Sequence, residues 1–304
     1  MAQTISLPVN GSAKRIGFHL WMNRVLEMSD AVQDGWKAAE VHDLRVALRR
    51  CRTMADALSE VNPDHAWKKL KKGSRDLFHA LGELRDTHVE QEWVKKFSES
   101  NDAVRKHLLK TLGQAESKQQ KEAEKALDEF DAKSWRKYSQ KLTDKAQFFP
   151  ADSVVFQRLA LTRLNEAAGL YERARKNRSG LAWHRLRIGL KGFRYTLENF
   201  MPERYELWCK NLKRIQDLLG EVHDFDVLRA QIRKQRTNLQ NADVLRWYRT
   251  IEGARKTRLN EFRSTIGGNG TNQPLWHLWR AGFRDIHVLR SAAMVQAQRL
   301  QPAS

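Results

Sequence analysis

Residues 41–52, VHDLRVALRRCR, decide the fold. Set on a helix at about 100° per residue with His42 at zero, Arg45, Arg49 and Arg52 fall at about 300°, 340° and 280°. Leu44, Leu48, Cys51 and the following Ala55 fall at about 180–240°. One His and three Arg therefore share an arc of about 80° over roughly 15 Å of helix, and that arc flanks the apolar stripe. A solvated face lies opposite the stripe instead. Side chains on this row emerge at the rim of the core, where like charges repel at about 0.3 kcal/mol per helical pair. An anion held between them reverses that cost. The planar fork of Arg suits phosphate oxygens, and a polyanion beside His favours its protonated form.

The row recurs. His42, Arg45, Arg49 and Arg52 reappear 142 positions later as His184, Arg187, Lys191 and Arg194. Their apolar neighbours follow: Leu44, Leu48, Cys51 and Ala55 become Leu186, Leu190, Phe193 and Leu197. Leu81-Gly82-Glu83-Leu84-Arg85-Asp86 then matches Leu219-Gly220-Glu221-Val222-His223-Asp224 at an offset of 138, and Pro63 matches Pro202 at 139. Read alone, one such row is the solvated face of a charged helix. A second copy with the same neighbours argues against a passive surface.

Around these rows the periodicity is close to 3.6 and almost never 2, so the chain is expected to be all-α: two tandem four-helix bundles produced by internal duplication. The first repeat covers 12–113, with helices near 12–33, 38–60, 63–82 and 85–113. A polar, Lys/Glu/Gln-rich helical connection covers 114–147. The second repeat covers 153–263, with helices near 153–177, 180–200, 202–220 and 223–263. Gly267-Gly268-Asn269-Gly270 breaks the chain before a C-terminal helix over 274–298. Ser12 is a candidate cap for the first helix, and Pro63 and Pro202 open others. Gly189 and Gly192 stand inside the second row's helix, each at a cost of about 1 kcal/mol relative to Ala.

Composition bounds the partners. Lys and Arg number 55 against 36 Asp and Glu, a net charge of +19, which points to nucleic acid, an anionic surface or another polyanion. A hydrophobic fraction of 41% with ten Trp still supports a packed interior. Two Cys far apart, no export-type leader and no apolar run of the roughly 18 residues that span a bilayer predict reduced thiols, a cytoplasmic location and no membrane insertion. Further candidate anion-binding groups are Arg50 beside the first row, Lys72 and Arg75 with their counterparts Lys210 and Lys213, Arg85 with His223, and Tyr195. For the helix-3 cations, ligand contact and plain solvated charge are equally open. Asp86 and Asp224, after the Leu-Gly pairs, read as helix caps.

The doubled pattern, His42-x2-Arg45-x3-Arg49-x2-Arg52 and His184-x2-Arg187-x3-Lys191-x2-Arg194-Tyr195, with the paired Leu-Gly-x2-(Arg/His)-Asp segments, resembles the CHAD domain (conserved histidine α-helical domain) over roughly 12–298. The resemblance implies two four-helix bundles about a pseudo-twofold axis, with a basic cavity or groove between them that binds inorganic polyphosphate. It further implies association with polyphosphate granules. Many members also carry a β-rich triphosphate-tunnel catalytic domain, for which this sequence has no room, so the stand-alone form is expected. Carried over, the binding groups are His42, Arg45, Arg49, Arg52, His184, Arg187, Lys191 and Arg194. No cofactor or metal is expected.

Two rival readings belong to other classes. His42-Asp43 and His223-Asp224 echo the His-Asp pairs of metal-dependent phosphohydrolases, but Arg185 stands where Asp43 would recur and Arg85 where His223 would. Neither a phosphate-binding glycine loop of Walker type nor HExxH nor CxxC occurs, so no enzymatic activity is expected. Non-specific nucleic-acid binding is allowed by the charge, yet the rows lack interleaved aromatic residues for base stacking. A scaffold for an acidic protein partner is a third reading.

Overall fold

In the computed structural model, residues 17–177, 179–234, 241–268 and 273–283 are described, and among them every regular element is a helix. The order is α1 (Phe18–Gln33), α2 (Ala38–Val61), α3 (His65–Gly73), α4 (Arg75–Lys96), α5 (Ala103–Asp128), α6 (Ala132–Gln147), α7 (Val154–Asn177), α8 (Gly180–Phe200), α9 (Pro202–Lys234) and α10 (Asn241–Gly267). A further helix, α11, is described over 275–283. Ser12, residues 269–270 of the glycine-rich break and the stretch of the C-terminal helix beyond 283 lie outside the described residues.

The two rows occupy α2 and α8, and both helices end by the same device. Asn62 precedes Pro63 and Met201 precedes Pro202, and a residue before proline is steered out of the α region. Asn62 accordingly sits at φ −140°, ψ 89° and Met201 at φ −137°, ψ 64°. At the α8 start, the Ala182 N–H donates to Ser179 Oγ at 3.2 Å, satisfying one orphan donor of the first turn. Leu44, Leu48, Cys51 and Ala55, with Leu186, Leu190, Phe193 and Leu197, are fully buried, so the apolar stripe of each row is core.

Helix neighbours run in parallel through the two halves. α1 packs on α2, α2 on α3 and α4, and α4 on α5; α7 packs on α8, α8 on α9, and α9 on α10. The halves meet where α2 packs on α8, α4 on α9, and α5 on α10. A large core runs through both halves. A smaller cluster is built jointly by Val94, Val104 and Leu108 with Phe225, Leu228, Trp247 and Ile251. Trp93 of α4 and Phe97, the residue that caps its end, pack against the Phe225 ring at 4.8 and 5.4 Å between centroids. Both Cys51 and Cys209 are free, and Cys51 is buried.

Several boundaries differ from the expected ones. Leu81-Gly82 and Leu219-Gly220 do not break the chain; each lies inside a helix, α4 and α9, so Asp86 and Asp224 are not caps. A single helical Gly costs only about 1 kcal/mol, and burial of Leu81, Leu84, Leu219 and Val222 outweighs it. The third and fourth expected helices of the second half are instead one, α9, and the expected 223–263 helix is divided between α9 and α10. In the first half the interruption falls at Ser74, between α3 and α4. The span from Pro63 to Leu81, which contains this break, is one residue longer than the span from Pro202 to Leu219. The expected 85–113 helix ends at Lys96 and resumes at Ala103, capped by Asp102, which accepts from the Arg105 N–H at 2.9 Å. The polar connection is helical, shared between α5 and α6.

Candidate functional site

The contact of α2 with α8 brings the two rows together. Arg45, Arg49, Arg187 and Lys191 are all half-buried, and their charges act on one another across the helices. Burial lowers the Arg45 and Arg187 pKa values below the usual arginine range, and each also feels an Arg of the opposite row, Arg187 and Arg49 respectively. Lys191 is held down to about 7, by burial first and then by Arg187, Arg49 and Arg45. Arg49 Nε and Arg187 Nε are buried and find no hydrogen-bond acceptor among the described residues.

Neighbouring groups shape this junction. The Arg45 guanidinium lies 4.9 Å from the Phe78 ring centroid and donates to the Phe78 carbonyl at 3.4 Å. It passes over Gly82, where an added Cβ would stand 2.7 Å from Arg45 Nη1. The glycine of the first Leu-Gly pair is thus room for a cation. Gly189 has a different purpose: a Cβ there would meet Leu170 Cδ1 at 2.7 Å, so it allows α8 to approach α7 closely. Gly192 has no comparable crowding.

Tyr195 is buried with Arg49 and Arg50 each 5.6 Å from its ring centroid. Arg50 is bound to the other half: it donates to Asn199 Oδ1 at 3.1 Å and pairs with Glu198.

The histidines stand at the outer end. His42 is exposed; its pKa is lowered by partial burial, then by Arg85 and Arg49. Arg85 also pairs with Glu92 at 3.2 Å. In the second half His184 Nδ1 and His223 Nδ1 are 3.2 Å apart. Burial lowers both values, and His223 falls to about 4, with Arg187 its next largest cause. Two carboxylates act on the cations, Asp86 from an exposed position and Asp224 from a half-buried one. Asp86 acts on Arg45 and Arg187, and Asp224 acts on Arg187 and Lys191. Asp224 accepts from Trp93 Nε1 at 3.2 Å, and its pKa is raised, chiefly by burial. Asp86, Asp224, Phe78 and Gly82 are the site residues that sequence reasoning missed or misread. The shared offset of the two aspartates was their available signal.

The last cation of each row turns inward. Arg52 donates to Ser74 Oγ at 3.0 Å and to the Lys71 carbonyl, closing the end of α3. Arg194 donates to Gln216 Oε1 at 2.8 Å and to the Tyr205 hydroxyl at 3.3 Å. Lys72, Arg75, Lys210 and Lys213 are exposed on the helices that follow each row, and Arg75 pairs with Asp76 at 2.9 Å. Among the described residues no group of three or more His, Cys, Asp or Glu side chains is placed to hold a metal ion, and no helix is long and apolar enough to cross a membrane.

Fold and site together define an all-α protein with a cation-lined junction between two similarly packed halves. The chain belongs to the CHAD domain family, whose model matches residues 22–233, from within α1 nearly to the end of α9. It is similar in fold to the crystal structure of the CHAD domain from the plant Ricinus communis. The two share 17% identity and a TM-score of 0.55, over 91% of this chain and 96% of that one. A comparison with curated proteins finds no match.

Proposed function

We propose that the chain binds inorganic polyphosphate at the α2–α8 junction without transforming it, and that this binding holds it on polyphosphate granules in the cytoplasm. One observation carries the reading. Four cations from two helices converge half-buried, and two of them keep buried Nε donors with no acceptor among the described residues. A buried unpaired donor costs about 1–3 kcal/mol, whereas a hydrogen bond to a charged acceptor contributes about 1.5–3 kcal/mol. A chain of phosphates supplies such acceptors along its length. Membership of the CHAD family supports the same ligand.

The test is titration with long-chain inorganic polyphosphate. A variant carrying Arg45→Gln, Arg49→Gln, Arg187→Gln and Lys191→Gln is expected to lose about a hundredfold or more in affinity, while circular dichroism shows undiminished helix. Retained affinity in a folded variant places the site elsewhere. Competition assigns the ligand class: polyphosphate should displace DNA and RNA at matched phosphate concentration, and failure to do so makes nucleic acid the ligand. Incubation with polyphosphate and Mg²⁺ or Mn²⁺ should release no phosphate. Release that scales with protein overturns the non-catalytic reading.

A further inference from the structure

The two walls of the junction differ chemically. At equivalent positions Arg49 corresponds to Lys191, on which it acts across the junction, and Arg85 corresponds to His223. The α2–α4 wall therefore holds His42 with three guanidinium groups, Arg45, Arg49 and Arg85, and a guanidinium does not lose its proton in a protein. At the matching positions the α8–α9 wall holds one, Arg187, with Lys191, His184 and His223, whose charges depend on bound protons.

The surroundings of the second wall make those protons costly. Lys191 faces Arg187 on its own helix, Arg45 and Arg49 from α2, and Asp224 from α9. His184 and His223 face each other, Arg187 and Lys191. From α7, Arg163 lies against Gly192 and is engaged with Thr196 and Glu60. The 3.2 Å contact between His184 Nδ1 and His223 Nδ1 adds a constraint. Two Nδ1 atoms form a hydrogen bond only when one carries the hydrogen and the other a lone pair, so at least one ring is neutral there.

We propose, resting on the polyphosphate reading above, that polyanion binding is proton-coupled: the α2–α4 wall attracts the ligand at any pH, and the α8–α9 wall loads protons onto Lys191 and the His184–His223 pair as the ligand arrives. The direction of each shift agrees. Lys191 sits at about 7 and His223 at about 4, both below their ordinary values. A polyanion beside them favours the charged forms and raises both. Above about pH 7 the bound state then holds more protons than the free state, so affinity falls as pH rises. Below the ordinary histidine range affinity climbs again as the pair charges. The physiological reading is a capture site that tightens on acidification and releases in alkali.

The experiment is calorimetric titration with long-chain inorganic polyphosphate at pH 8, in buffers of different ionisation enthalpy, with affinities measured from pH 7 to 9. Wild type should take up about one proton per bound chain segment and weaken about tenfold per pH unit. Lys191→Arg keeps the charge and should lose that slope. Lys191→Met, which removes both charge and titration, should also lose it whatever its absolute affinity. Comparing slopes with wild type cancels protons exchanged by the ligand's own terminal phosphates. A wild type that takes up no proton and binds evenly from pH 7 to 9 overturns the proposal, as do variants that keep the wild-type slope. Absence of polyphosphate binding at any pH sinks the functional reading itself.

Discussion

Gly82 shows how one missing Cβ serves a charge. Its α-carbon lies under the Arg45 guanidinium, whereas its counterpart Gly220 has open space around it. Gly82→Ala should raise helix stability by about 0.5–1 kcal/mol, because alanine is the better helix former. The displaced Arg45 should at the same time lower polyphosphate affinity about three- to tenfold, as expected when a charge-assisted hydrogen bond to phosphate is weakened rather than removed. Gly220→Ala should gain the same stability with affinity unchanged. Thermal melts and titrations of the two variants side by side check this, and equal affinities for both remove the role given to Gly82. The sequence showed that the two Leu-Gly pairs match, but it could not say why the glycines are there. Whether a glycine ends a helix or makes room depends on what stands opposite, and that is set by tertiary packing. The same limit explains why Asp86 and Asp224 read as caps. A carboxylate after Leu-Gly fits a new helix start, and only the packing of α4 on α9 shows both acids acting on the cations of the junction.

Along α2 and α8, helical periodicity placed the apolar stripe and the cationic row correctly, since both follow from 3.6 residues per turn and burial. It did not separate the members of each row. Arg52 and Arg194 lie at about 280°, nearest the apolar arc, and both turn inward to close their own halves. Arg52→Ala should therefore leave Ser74 and the Lys71 carbonyl without a charged donor and cost about 1–3 kcal/mol of stability. Arg194→Ala should do the same for Gln216, which itself donates to the Leu190 carbonyl at 3.1 Å. Arg45→Ala and Arg187→Ala should instead lower affinity with little loss of melting temperature. Lys191 is expected to couple the two properties. Its pKa in the folded chain lies below its unfolded value, so the unfolded chain binds the extra proton, and stability from this group rises as pH climbs from about 7 towards 10.5. Lys191→Met should remove that rise and raise the melting temperature most below pH 7, while weakening polyphosphate binding.

For the molecule as a whole, a net charge of +19 concentrated in part at one junction gives salt two opposite effects. Without ligand, the cations of α2 and α8 repel across the packing that joins the halves, so salt should raise the melting temperature by screening them. With polyphosphate bound, those charges become the tie between the halves. Ligand at about a hundredfold above its Kd adds about 2.7 kcal/mol, a gain of roughly 4 °C in a chain of this size. Salt removes this gain as released counterions lose their entropic advantage. The melting temperatures with and without ligand should thus converge as salt rises, from opposite directions. Scanning calorimetry across a salt series reads both curves. The ligand-bound protein should melt in one transition, because the α2–α8, α4–α9 and α5–α10 packing and the shared cluster around Phe225 and Trp247 bind the halves on both sides of the junction. A ligand-induced shift confined to half of a split transition would place the bound chain on one wall alone and remove the second from the site.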